Sequence, residues 1–371
     1  MSLTGNFLKH TLKFKFNART SRGSLKEKDS FIIKLWDNTS PEVVGMGECA
    51  PLKGLSIDFK EDFEETLSGI VDRFGDLTTP HSVDDAFKQA KKLVSKDYPS
   101  IRFGMEMALI DLLNGGNRLL FENGFSKGEI KIPINGLIWM GDLEFMLTQI
   151  TEEIYDGFNC IKMKIGSLDF EKECDVLEYI RNKYFREDII LRVDANGAFK
   201  PEVVMERLEK LAKYNLHSIE QPIRSGQKDL MRDLCKKSIV PIGLDEDLIG
   251  IDSLKDKREL IEHIRPDYLV LKPTLLGGFK SCQEWIRLAE EKDIGWWITS
   301  ALESNLGLNA IAQFTAQYPI DLHQGLGTGR LYDNNITSPI KIDTGYLTYD
   351  SSEKWDFSVL TETEENSGNS R

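Results

Sequence analysis

Long apolar runs are missing from this 371-residue chain. No stretch approaches the roughly 20 residues of a membrane span. The N-terminal MSLTGNFLKHTLKF lacks the apolar core of a signal peptide. Basic residues are in deficit: Lys+Arg 47 against Asp+Glu 60, a formal net charge of -13. That balance argues against a nucleic-acid partner or an anionic membrane, since both need a basic surface. Cysteine is sparse too, with Cys49, Cys160, Cys174, Cys235 and Cys282 scattered and odd in number. They show no zinc-ligand spacing and suit a reducing compartment, so a soluble cytoplasmic protein is expected.

What is present is an ordinary globular composition, 40% hydrophobic and 29% charged. The chain is long enough for one large domain and a smaller one. From residue 131 to 330, short apolar segments alternate with longer helical patterns. The expected strands are IPINGLI (132–138), CIKMKI (160–165), IILRVDA (189–195), HSIEQ (217–221), PIGLDE (241–246), DYLVLK (267–272), WWITSA (296–301) and DLHQGL (321–326). Their spacing fits a strand plus a crossover helix. In FEKECDVLEYI, for example, Phe170, Cys174, Leu177 and Ile180 share one face. ESNLGLNAIAQFTAQYP reads as another helix, starting near Glu303 and stopping before Pro319. After the eighth strand, GTGRLYDNNITSPI is rich in Gly and Asn and shows no helix. The expected fold is therefore α/β, a (β/α)7β TIM-like barrel.

Residues 1–130 read as a separate α+β capping domain. LKHTLKFKF and DSFIIKLWD look like antiparallel strands joined by a polar loop (17–28), and helical patterns such as SIRFGMEMALIDLL follow. Residues 331–355 include the strand-like IKIDTGYLTYD (340–350), expected to return to that lobe. Residues 356–371, with TETEENSGNSR, are expected to be disordered.

Catalytic groups of a (β/α) barrel sit at the C-terminal strand ends. Here those ends carry Lys162 and Lys164, then Asp194 and Asn196, Glu220, Asp245 and Glu246, and finally Lys272. Taken singly, a KxK is usually a solvated strand face and a DxN a turn or helix cap. The signal is the order Lys, acid, acid, acid, Lys on consecutive strands. Neither face of an all-parallel strand is wet, so such charges must converge on one another, a metal or a ligand. Asp194, Glu220 and Asp245 lie on neighbouring strands and suit a hard cation such as Mg2+. Lys164 and Lys272 would flank a metal-bound ligand from opposite sides. That suits proton abstraction beside the carboxylate of a small-molecule substrate.

These motifs, KxK, DxN, ExP, DE and KP on successive strands, resemble the enolase superfamily in its muconate-lactonizing subgroup. GECAPL (47–52) resembles its capping-domain segment and PSIRFGMEMALIDLL (99–113) its helix leading into the barrel, so the likeness covers most of the chain. VLKPTLLGG (270–278), ITSALESNLGL (298–308) and GLGTG (325–329) are most like a dehydrating branch of the subgroup. The resemblance implies a lyase in which Lys164 removes the proton alpha to a carboxylate and returns it to a departing hydroxyl. Lys162 would hold and tune that base, and Lys272 would stabilise the enediolate as a cation. Asp194, Glu220 and Asp245 would bind Mg2+ (or Mn2+), with Asn196 and Glu246 behind them. Ser300, Gly327 and Thr328 would contact substrate, and the 17–28 and GECAPLKG segments would close the site. The alternative on the same scaffold is an N-succinylamino acid racemase or dipeptide epimerase. Dipeptide epimerases carry an acidic DxD near the seventh and eighth strands, where this chain has TSALESN with a lone Glu303. His217 opens the fourth strand at the end remote from chemistry and is expected to be structural; His323, within the eighth, is a candidate substrate contact.

Overall fold

The computed structural model describes residues 2–20, 23–166, 169–184 and 188–360. Three antiparallel strands open the chain: β1 (Leu3–Thr20), β2 (Gly23–Asp37) and β3 (Ser40–Cys49). The polar stretch expected as a loop over 17–28 is instead mostly strand. β1 runs to Thr20 and β2 begins at Gly23, with a register slip between Lys13 and Ala18. Main-chain ladder bonds hold such a hairpin whatever the polarity of its side chains.

The helix Pro99–Leu113 lies directly on β3. A Cβ on Gly47 would stand 1.9 Å from the Gly104 carbonyl oxygen, and one on Gly45 2.1 Å from that of Ala108. Only glycine allows this approach. The helix is apolar on all sides and buried almost throughout, so its few polar groups need partners. Arg102 pairs with Asp252 at 2.6 Å, Glu106 accepts from Phe279 N at 2.6 Å, and Asp111 accepts from Met46 N at 2.9 Å.

A short strand, β4 (Ile132–Pro133), leads into seven parallel strands. These are β5 (Gly136–Ile138), β6 (Cys160–Lys164), β7 (Ile190–Asp194), β8 (Ser218–Glu220), β9 (Ile242–Leu244), β10 (Tyr268–Leu271) and β11 (Gly295–Ile298). Their spatial order follows the chain, β5 to β11. Intervening helices cover them as the apolar spacing predicts: Phe170–Lys183 buries Phe170, Cys174, Leu177 and Ile180. The helix Asn305–Thr315 is capped by Ser304, whose hydroxyl accepts from Leu306 N. Of the expected eighth strand, residues 324 and 325 are paired on both sides. Gln324 N donates to Pro133 O at 2.8 Å and Gly325 N to Ile298 O at 2.8 Å. A single short helical turn, Thr328–Arg330, follows.

Residues 331–333 pair with β1, through Lys15 N to Leu331 O and Asp333 N to Lys13 O, both 2.9 Å. The stretch 340–350 does not join that sheet. β12 (Ile340–Asp343) and β13 (Tyr346–Tyr349) form a hairpin that adds to β4, where Leu347 is buried beside Ile132. Residues 356–360, expected in the tail, also pack: Leu360 is buried and Asp356 N donates to Thr337 O at 3.2 Å. Apolar Trp355 and Phe357 stack there, which the composition of the following residues obscured. The remainder of that tail, 361–371, lies outside the described residues. Among the described residues no helix is long and apolar enough to cross a membrane.

Candidate active site

Parallel register lines the strand-end charges up in a row. Lys164 lies beside Asp194, and Asp194 beside Glu220. β8 pairs with β9 so that Glu220 meets Gly243, just before Asp245, and β10 ends immediately before Lys272. Lys162, Lys164 and Lys272 are only 6%, 8% and 7% exposed, which excludes a solvated strand face. Ile161, Met163 and Ile165, on the alternate side of β6, are buried as well.

The two ends of the carboxylate row meet different lysines. Lys162 Nζ lies 2.9 Å from Glu220 Oε2 and 3.4 Å from Asp194 Oδ2. Lys164 pairs with Asp194 and donates to Asn196 Oδ1 at 3.2 Å. Lys272 pairs with Asp245 and stands 3.6 Å from Glu220 Oε1. Asn196 then donates from Nδ2 to Glu246 Oε1 at 3.1 Å. Burial lowers the pKa of Lys164, helped by the charges of Lys162 and Lys272 and opposed by Asp194. For Lys272 burial is outweighed by Asp245 and Glu220, which hold it as an ammonium. Glu220 is pushed up to about 7 by burial and by its neighbours Asp194 and Asp245.

Three hard oxygen donors on adjacent strands fit a small divalent cation. Glu220 Oε1 is buried and makes no hydrogen bond among the described residues, leaving an acceptor in need of a partner. The carboxylates otherwise turn to the lysines. Among the described residues no three His, Cys, Asp or Glu groups are gathered as for a metal ion.

The lysines open onto a cavity of about 810 Å³. Ser300, Gly327 and Thr328 line it, as do 23–27 of the hairpin and 52–55 beyond β3. Leu137, Trp139, Phe145 and Leu302 make much of its wall apolar. Ser300 is more fully occupied than the sequence suggested. Its hydroxyl donates to Glu303 and accepts from Thr328 Oγ1 at 2.8 Å and from Leu302 N at 3.0 Å. His323 does not line the cavity: its ring meets Asn159 Oδ1 at 2.7 Å, beyond the opposite end of β6. His217 stacks on Tyr268 at 4.9 Å in the same region.

Gln221 escaped the sequence reading. It adopts φ 41° directly before Pro222, where extended backbone is the norm. Its Oε1 accepts from Asp245 N and Asp247 N, both at 3.2 Å, and its Nε2 donates to Asp247 Oδ2 at 2.8 Å. It thereby pins the end of β9 that carries Asp245. A polar residue between the strand-end acid and a proline was the available signal.

Residues 146–352, over half of the chain, match the family described as enolase C-terminal domain-like. The chain belongs to that family. An o-succinylbenzoate synthase of Desulfotalea psychrophila is 43% identical over 363 residues, covering 92% of this chain and 98% of the relative. The crystal structure of MenC from Desulfotalea psychrophila LSv54 matches with a TM-score of 0.81 and 40% identity, over 94% of this chain and 100% of that one. An N-succinyl Arg/Lys racemase of Bacillus cereus shares the fold, with a TM-score of 0.83 at 20% identity over 98% of each chain.

Proposed function

We propose that this chain is a cytoplasmic lyase of menaquinone biosynthesis. It dehydrates 2-succinyl-6-hydroxy-2,4-cyclohexadiene-1-carboxylate to o-succinylbenzoate. The observation that carries this reading is the 43% identity to the Desulfotalea synthase across nearly the full length of both chains. The parallel sheet closes through residues 324–325 into a (β/α)7β barrel spanning 131–330. Residues 1–130, with part of 331–355, form its cap. The two-sided pairing of Gln324 and Gly325 supports that closure.

In this mechanism Lys164, as a neutral amine, takes the proton from the carbon alpha to the ring carboxylate. The electron pair moves into that carboxylate, where Lys272 faces the growing charge as an ammonium from the far side. The bond from carbon to the hydroxyl oxygen then breaks, and Lys164 returns its proton to the leaving oxygen on the same face. Water departs and the ring becomes aromatic, so no oxidant is required. Lys162 is held beside Lys164 by Glu220, while Asn196 and Glu246 fix the Lys164–Asp194 pair. Asp194, Glu220 and Asp245 would hold Mg2+ or Mn2+, which when bound supplies positive charge to the substrate carboxylate. Residues 23–27 and 52–55 shield the reaction from water, and Ser300, Gly327 and Thr328 border the substrate.

The test offers purified protein with Mg2+ the cyclohexadiene substrate and, separately, an N-succinylamino acid. Loss of the conjugated diene with formation of o-succinylbenzoate is expected. Racemisation of the second compound with no dehydration of the first would replace this reading with the racemase, for which two opposed lysines are also suited.

A further inference from the structure

A second buried charged cluster lies behind the cavity wall, where neither the metal set nor the lysine pair reaches it. Glu303 is fully buried and does not itself line the cavity. Its Oε2 accepts from Ala301 N at 2.8 Å and from the Ser300 hydroxyl. Its Oε1 accepts from the hydroxyl of Thr274, close after Lys272 in the chain. One carboxylate thus ties the turn after β10 to the turn after β11. Leu302 in that second turn is held at φ 68°, a left-handed conformation that bulky side chains avoid. Tyr332 OH fixes its carbonyl at 2.7 Å. Ser300, Leu302 and Thr328, the residues this network arranges, all face the cavity.

The other lobe brings a buried ammonium and a second carboxylate. Lys28 on β2 pairs across the ladder with Leu12 and is buried, and its ammonium makes no hydrogen bond among the described residues. Burial lowers its pKa, opposed by the charges of Glu48, Glu303 and Asp29. Asp29 is engaged on the surface by Lys9 at 3.0 Å. Glu48 is itself committed across the lobe boundary, accepting from Ser304 N at 2.8 Å, Ser304 Oγ at 2.6 Å and Gly307 N at 2.9 Å. Two buried carboxylates flanking one helix start are costly unless a cation neutralises them.

We infer that Glu303 is a positioning residue, which sets the shape of the substrate-facing wall at Ser300 and Leu302. It does not touch the reacting atoms and acts through Ser300. The inference rests on the dehydratase reading only for its kinetic readout.

The test is a double-mutant cycle of Glu303→Gln and Thr274→Val, with Thr274→Ser alongside. Glu303→Gln is expected to raise KM roughly tenfold, the scale of one lost hydrogen bond, with a smaller change in kcat. Thr274→Val should move KM in the same direction and Thr274→Ser should restore it. Because these two leave every charge in place, they decide the matter if Glu303→Gln does not fold. In thermal unfolding, Thr274→Val should cost less in the Glu303→Gln background than in the wild type, since the two side chains share one hydrogen bond. Wild-type KM and kcat in both Glu303→Gln and Thr274→Val, or strictly additive unfolding midpoints, would overturn the inference. A wild type that fails to dehydrate its substrate would refute the proposed reaction instead, and the unfolding cycle, which uses no substrate, still decides whether Glu303 holds Thr274.

Discussion

Lys164 stands at the end of β6 with Asp194 and Asn196 beside it and the cavity in front. The proposed mechanism gives it both proton transfers, so Lys164→Ala should lower the dehydration rate by about 10³-fold, within the range of a lost general base. Steady-state rates with a thermal unfolding control check this, and near-normal turnover would remove the base assignment. The lysines were legible in the sequence for a positional reason. Each ends an apolar strand, and a buried charge there must be aimed at something. Ser300 was legible as a wall residue but not as a saturated one. Its partner Thr328, and Thr274, which donates to the same Glu303, come from separate segments, and no local pattern announces that they meet.

Among the elements, the helix Pro99–Leu113 bears the tightest geometry. Gly47→Ala would push a methyl into the Gly104 carbonyl, 1.9 Å from the ideal Cβ position. Separating strand from helix should cost on the order of 1–3 kcal/mol or more, read by chemical denaturation. The same helix carries Glu106, whose carboxylate accepts from Phe279 N and Lys280 N at the start of the helix Phe279–Glu290. Burial pushes that carboxyl up to about 8, against those N–H groups and Arg102. A carboxyl raised on folding stabilises the fold below its ordinary value of 4.5, and the contribution is lost as pH climbs through about 8. Between roughly pH 5 and pH 8.5 the wild-type unfolding midpoint should therefore fall relative to Glu106→Gln. Parallel midpoints across that range would show that Glu106 keeps an ordinary carboxylate pKa.

At the scale of the molecule, the antiparallel lobe is bolted to the parallel sheet by buried polar contacts: Arg102 to Asp252, Glu106 to Phe279, and Glu48 to Ser304 and Gly307. The cavity draws wall from both lobes, so closing it depends on how they sit together. The proposed cation site predicts a global effect. Mg2+ that binds the folded chain must stabilise it, by about 2.7 kcal/mol at a hundredfold excess over Kd. An upward shift of the unfolding midpoint with added Mg2+, reversed by a chelator together with loss of dehydration, is the expected result. An unmoved midpoint would argue that the three carboxylates serve only the lysines.

The sequence by itself determined the βα period and the order of charged residues along it. In a parallel sheet each strand end is placed by its own short apolar run, and neighbours follow in chain order. The row from Lys164 to Lys272 was therefore visible before any contact was known. Tertiary structure alone decided the rest. Ladder bonds made strand of the polar residues 18–20 and 23–28, and apolar side chains drew 340–349 to β4 and Leu360 into the core. The meeting of Glu48 with Ser304 joins residues 256 positions apart. Such contacts are fixed by the packing of whole elements, and no periodicity within either segment encodes them.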